Sequence, residues 1–426
     1  MSRFFDSASR GGAAVGAAPV PRRPDPLDDA LAAPVASGDV PGLAWTVWRE
    51  GATRSGAAGV QDLASCAPMR RDTLFRVASL TKPVTAVAAM ILVEEGFLEL
   101  DAPIDPWLPE LRDRRVVRRL DGPLDDTVPA ARPITPRDLL TMRIGLGAVF
   151  ADPAASPLLT RMGELGLAPG PGLFDGDADD YLERLASLPL ACQPGRRWLY
   201  HTGMDVLGLL VSRVTGMRLG DFMHERVFEP LGMRDTGFHV PKENLGRLAT
   251  CYERDGNGAL VPCPELLGPD PSVPPRLELG GSGLVSTVDD FAAFGRMLLA
   301  GGAVDGRRII SPESVSMMTT DQVPAEVKAV SPFYPGFWDT YGWGLGMAVV
   351  TAPDGIPPAP GRFGWWGGTG TTFFCDPATG TVAVLMFQRM MTRPDDTETG
   401  EAFLKLALAG PGGHAATGRG RDWKDR

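Results

Sequence analysis

The stretch "RVASLTKPVTAVAAMILVEEGF", residues 76–97, constrains the fold more than any other part of the chain. From Val84 to Val93 its only polar residue is Thr85. A helix that is apolar all round must be covered on every side, so this segment predicts a helix through the middle of a large core. Gly96 suits the left-handed position that closes such a helix. Pro83 is tolerated only near a helix start and pins that start close to Ser79. Ser79 and Lys82 then stand at i and i+3 on one helix face, at the mouth of a dry core. Desolvation and the positive end of the helix dipole both disfavour an ammonium ion there. A neutral lysine beside a serine hydroxyl is a base that can activate a nucleophile. The plainer alternative has Lys82 snorkelling to the surface and Ser79 serving only as a cap.

With 426 residues, 44% of them hydrophobic, the chain has enough apolar material for two or three domains. A net charge of −10 and the lack of any lysine- or arginine-rich run argue against nucleic acid and anionic membrane surfaces as partners. The five cysteines are odd in number, widely spaced and without a C-x-x-C pair, which argues against a disulfide framework or a zinc site. No apolar run follows the first basic residues as in a signal peptide, and none is long enough to span a membrane. The expectation is a cytoplasmic protein with reduced thiols, no cofactor and no metal, with a flexible leader at 1–24 and a flexible tail at 411–426.

Residues 41–51 read as a strand running into a turn, 341–352 as a strand, and 370–388 as a hairpin turning around Pro377–Gly380. Helices are expected at 134–142, opened by Thr135 and Pro136, and at 203–216, closed by Gly216. Another is expected at 286–302, capped by Ser286 or Thr287. Strands at both ends around a helical middle predict an α+β chain. Residues 25–97 and 276–410 would form a discontinuous α/β sheet domain, into which a mainly helical domain, 98–275, is inserted.

Six segments in order carry a resemblance. They are "FRVASLTKPVTAVAAMILVEEGFLELDAPI" (75–104), "ITPRDLLT" (134–141), "PGRRWLYHTGMDVLGLLVSRVTG" (194–216), "VFEPLGMRDTGF" (227–238), "GGSGLVSTVDDFAAFGRMLLAGG" (280–302) and "WWGGTGTTFFCDP" (365–377). Together they resemble the serine β-lactamase and penicillin-binding-protein superfamily, in the class C-like group that includes the family VIII carboxylesterases. The resemblance spans roughly residues 27–405. It implies a mostly antiparallel sheet flanked by helices, an inserted all-helical domain, and a site in the cleft between them. S-x-x-K is the nucleophile motif of such enzymes. Tyr200 matches the tyrosine of the second motif, and a phenol held by cations would lose its proton more easily. Thr202 stands where that motif usually has asparagine. Trp365, Trp366 and Gly367 occupy the third motif, with tryptophan replacing the cation that lactamases use for a substrate carboxylate. The resemblance makes the backbone N–H groups of Ser79 and Gly368 the oxyanion hole, and Thr202, Trp365, Trp366 and Gly367 substrate contacts.

Other serine-hydrolase designs fit less well. No G-x-S-x-G elbow is present. None of His201, His224, His239 and His414 sits in a triad or metal-ligand pattern, and His201 is expected at a helix-start surface position. The reading is a serine esterase with Ser79 as nucleophile, Lys82 and Tyr200 as acid/base pair, and a small-molecule ester as substrate. A β-lactamase, a D-amino-acid peptidase or an acyltransferase would use the same groups, and a non-catalytic ligand-binding relative is the reading from another class.

Overall fold

The computed structural model describes residues 26–148, 156–263, 266, 268 and 270–409, so the expected leader and tail lie outside it. Two runs far apart in sequence build one sheet. The first gives β1 (Gly42–Arg49) and β2 (Ala52–Gly59); the second gives β3 (Tyr341–Trp343), β4 (Ala348–Val350), β5 (Phe363–Gly367), β6 (Thr371–Asp376) and β7 (Thr381–Phe387). The seven strands lie in the order β3-β4-β5-β6-β7-β1-β2, every neighbouring pair antiparallel. Pairing of Leu43 with Phe387 through Arg49 with Thr381 closes the two ends of the chain together.

Alternation along the strands decides which helix covers which face. On one face lies α4 (Val288–Leu299): its Gly295 backs directly onto Val382, Phe373 and Cys375, and Thr46 Oγ1 donates to Asp289 at 3.0 Å. On the other lie α1 (Pro26–Ala36) and α5 (Glu398–Ala409), against Gly56 and against Thr372 and Trp366 respectively. Sheet strands buried on both faces read as continuous apolar runs, as "TVAVLMF" does in β7.

The apolar helix is α2 (Thr81–Glu94), preceded by a 3₁₀ turn over Ala78–Leu80, and its residues 81–92 are all buried. It packs beside α3 (Thr202–Thr215), closed by Gly216 in the left-handed conformation. Thr287, not Ser286, caps α4 by accepting from Asp290 N. The stretch 98–275, among its described residues, adds no strand to the large sheet. It is built from short helices and also holds two short antiparallel pairs, Arg115–Val117 with Thr127–Pro129 and Tyr252–Arg254 with Leu260–Pro262.

Residues 341–352 form a hairpin, β3–β4, and not the single strand expected. The cause is close packing of its glycines. A side chain on Gly346, at φ +82°, would fall 2.4 Å from Ala86 Cβ. The hairpin tip therefore presses its bare backbone onto α2, one turn past Lys82.

Candidate active site

Ser79 sits in the 3₁₀ turn just before α2, behind Ala78, whose φ of +44° is uncommon for a residue with a side chain. Lys82 is the second residue of α2 and is 0% exposed. Its Nζ lies 2.9 Å from Ser79 Oγ, 2.7 Å from the Gly281 carbonyl oxygen and 3.2 Å from His201 Nδ1. It also lies over the Tyr200 ring, 4.5 Å from the centroid. The snorkelling alternative is thereby excluded. The Gly281 carbonyl is held in place from two sides: Thr85 Oγ1 donates to Gly280 O at 2.8 Å, and Gly281 N donates to Asp205 Oδ1 at 2.8 Å.

The end of β5 comes against the same turn. Thr371 Oγ1 donates to the Val77 carbonyl at 3.1 Å and Thr369 Oγ1 to the Arg76 carbonyl at 2.5 Å. A Cβ on Gly367 would stand 2.5 Å from Val77 O, so only glycine lets β5 approach this closely. The Gly367 carbonyl accepts from Gly370 N at 2.9 Å. In a trans peptide the N–H points opposite the C=O, which turns the Gly368 N–H away from the β5–β6 turn.

Ser79, Tyr200, His201, Trp365, Trp366 and Gly368 border a cleft of about 370 Å³, walled otherwise by Ala148, Pro169–Pro171, Phe333 and residues 390–394. That volume is in the range of small-ligand pockets. Thr202 is buried at 1% exposure in the first turn of α3, and neither it nor Gly367 borders the cleft. Trp365 is 3% exposed, edge-on to Trp343 at 4.8 Å, and its Nε1–H donates to the Tyr200 hydroxyl at 2.6 Å. The indole N–H is therefore engaged within the protein, and Trp365 offers the cleft only ring surface.

A sequence model of the Beta-lactamase family matches residues 27–407. The chain belongs to that family. Protein Rv1367c of Mycobacterium tuberculosis is 41% identical over 358 residues, 83% of this chain and 86% of that protein. Esterase EstB of Burkholderia gladioli is 35% identical over 349 residues, 78% of this chain and 81% of the esterase. The solved structure of EstCE1, described as a hydrolase with promiscuous acyltransferase activity, is 26% identical with a TM-score of 0.73, covering 90% of this chain and 97% of EstCE1. Relatives of this β-lactamase-family chain thus include an esterase and a hydrolase with acyltransferase activity.

Burial sets the electrostatics of the site. Desolvation lowers the Lys82 pKa to about 7, against the opposing pull of the Asp205 carboxylate. Burial likewise raises the Tyr200 phenol above its ordinary value, although hydrogen bonds with Ser79 and Trp365 pull it down. The expectation of an easily lost phenolic proton is corrected here: desolvation outweighs the hydrogen bonds with Ser79 and Trp365, and Lys82 Nζ lies over the ring.

His201 corrects the second expectation. It is 3% exposed, with its ring between Lys82 and Asp205, and its Nε2 is 3.2 Å from Asp205 Oδ2. Desolvation and the nearby Lys82 lower its pKa. Asp205 and the Gly281 carbonyl were not among the expected site residues either. The signal available for Asp205 was its i+4 spacing from His201; a backbone carbonyl leaves none. Among the described residues no group of three or more His, Cys, Asp or Glu could hold a metal ion, and no helix is long and apolar enough to cross a membrane.

Proposed function

We propose that this protein is a serine esterase acting through an acyl-enzyme on Ser79. The observation that carries the reading is Lys82 Nζ, 2.9 Å from Ser79 Oγ, with a pKa lowered to about 7 by burial. Ser79 Oγ attacks the ester carbonyl while Lys82 Nζ takes its proton. The N–H groups of Ser79 and Gly368 hold the oxyanion, each contributing about a hundredfold or more in rate. Tyr200 gives its proton to the leaving alkoxide. Water then attacks the acyl-enzyme, the Tyr200 phenolate takes a proton from it, and Lys82 returns its proton to Ser79 Oγ, which resets both groups. An acceptor alcohol in place of water makes the same cycle an acyl transfer, and EstCE1 is a hydrolase with promiscuous acyltransferase activity.

Two measurements follow. Lys82 must be neutral to act, so kcat/KM for ester acylation rises with pH through about 7 and levels above it; a rate independent of pH between 6 and 8 would remove Lys82 as the base. The aromatic wall around Trp365 offers no cation to a substrate carboxylate, and Arg393 at the cleft edge is already paired with Asp395 and Glu398. Hydrolysis of p-nitrophenyl butyrate should therefore exceed that of a chromogenic cephalosporin in kcat/KM by about one to two orders of magnitude, because a missing charge-assisted bond costs about 1.5–3 kcal/mol. The reverse ranking makes the protein a lactamase.

A further inference from the structure

The backbone at His201 is strained, with φ +87° and ψ −69°, close to the classic γ-turn, which is rare in folded chains. Strain of this kind costs about 1–3 kcal/mol and persists where the surroundings enforce it. Here it turns a histidine inward, at the start of α3, to a place behind Lys82. We propose that His201 and Asp205 form a positioning pair that aims the Lys82 lone pair at Ser79. The proposal rests on the reading of Ser79 as nucleophile.

Asp205 Oδ1 is engaged by Gly281 N, the Tyr181 hydroxyl also donates to the carboxylate, and Oδ2 faces His201 Nε2 at 3.2 Å. A carboxylate only accepts, so the imidazole proton belongs on Nε2 and Nδ1 is left as an acceptor. A neutral lysine has two N–H groups and one lone pair. One N–H goes to the Gly281 carbonyl at 2.7 Å and the other to His201 Nδ1 at 3.2 Å. The lone pair is then left for the Ser79 O–H, 2.9 Å away. When Lys82 gains the serine proton, the same two acceptors remain in place and the Asp205 charge favours the ammonium ion. The groups facing Lys82 are Ser79, Tyr200, His201 and the Gly281 carbonyl, with Asp205 behind the imidazole.

The tautomer makes the proposal testable. Asp205→Asn can keep its acceptor for Gly281 N while presenting an amide N–H to His201 Nε2. The imidazole proton would move to Nδ1 and face Lys82, drawing the lone pair away from Ser79; wrong-tautomer effects of this type are large in serine hydrolases. His201→Asn keeps an acceptor oxygen at the δ position and tolerates positive φ, whereas His201→Leu removes the acceptor.

The rate of fluorophosphonate addition to Ser79 should fall about a hundredfold in His201→Leu and in Asp205→Asn, and stay within about tenfold of wild type in His201→Asn. The double variant Asp205→Asn/His201→Asn should match His201→Asn alone, because no imidazole remains to be flipped. In the wild type, ¹⁵N spectra of the imidazoles should show His201 protonated on Nε2. Equal rates in His201→Leu and His201→Asn, or a proton on Nδ1, overturn the positioning pair while leaving the nucleophile intact. Absence of labelling at Ser79 in the wild type overturns the nucleophile, and the pair with it.

Discussion

Lys82→Met should lower kcat/KM for esters by about 10³–10⁴-fold while the protein stays folded. Methionine fills the same channel with apolar atoms but supplies no base. Its effect on stability has two opposing parts. At neutral pH the unfolded lysine is charged, while burial holds the folded one at a pKa of about 7. That difference costs the wild type about 4 kcal/mol. The variant is free of this cost but leaves the Gly281 carbonyl and His201 Nδ1 without their donor, at about 1–3 kcal/mol each. The two nearly cancel near pH 7. The pH dependence separates them. Because the folded pKa lies below the unfolded one, the unfolded state binds more protons between pH 7 and about 10, and wild-type stability rises with pH across that window. The variant lacks this rise. Denaturant unfolding at pH 7 and pH 9.5 should show the wild type gaining on Lys82→Met by a few kcal/mol. Parallel behaviour of the two proteins would mean that Lys82 is not desolvated.

Tyr200→Phe should divide substrates by leaving group. An alkoxide leaving from an alkyl ester needs a proton as the bond breaks, and the phenol is the acid whose burial keeps it protonated at neutral pH. Its loss should cost alkyl esters about 10²–10⁴-fold. A p-nitrophenolate leaves as a stable anion, so acylation by a p-nitrophenyl ester should suffer much less. Deacylation then lacks the phenolate as base, and the acyl-enzyme accumulates. The expected trace is a burst of about one equivalent of p-nitrophenol followed by slow turnover. The variant also strips the Trp365 N–H of its acceptor, so thermal unfolding should shift downward by a few degrees, consistent with about 1–3 kcal/mol for a buried donor left unpaired. Equal losses on alkyl and aryl esters, with no burst, would leave Tyr200 without its role as leaving-group acid.

What the sequence revealed was local. The apolar run from Val84 to Val93 made α2 and its burial readable, and Pro83 fixed where it begins. The 370–388 hairpin was readable because its β-rich runs flank a turn closed by Gly380 at φ +58°. Long-range packing hid the rest. The hairpin at 341–352 depends on Gly346 meeting Ala86, a contact between segments 260 residues apart. The Trp365 N–H is taken up by Tyr200, a residue 165 positions away, which no local pattern reveals. His201 was the hardest to place. A residue at a helix start ordinarily points outward, and only its positive φ turns the ring into the core.

In the proposed reaction Ser79 is the nucleophile and Lys82 its base. The most direct measurement is active-site labelling with a fluorophosphonate, followed by peptide mapping. One equivalent should add, on the peptide containing Ser79, with a rate that rises through pH 7, and Ser79→Ala should abolish both labelling and ester turnover. Labelling of another serine, or full turnover by Ser79→Ala, would contradict the account.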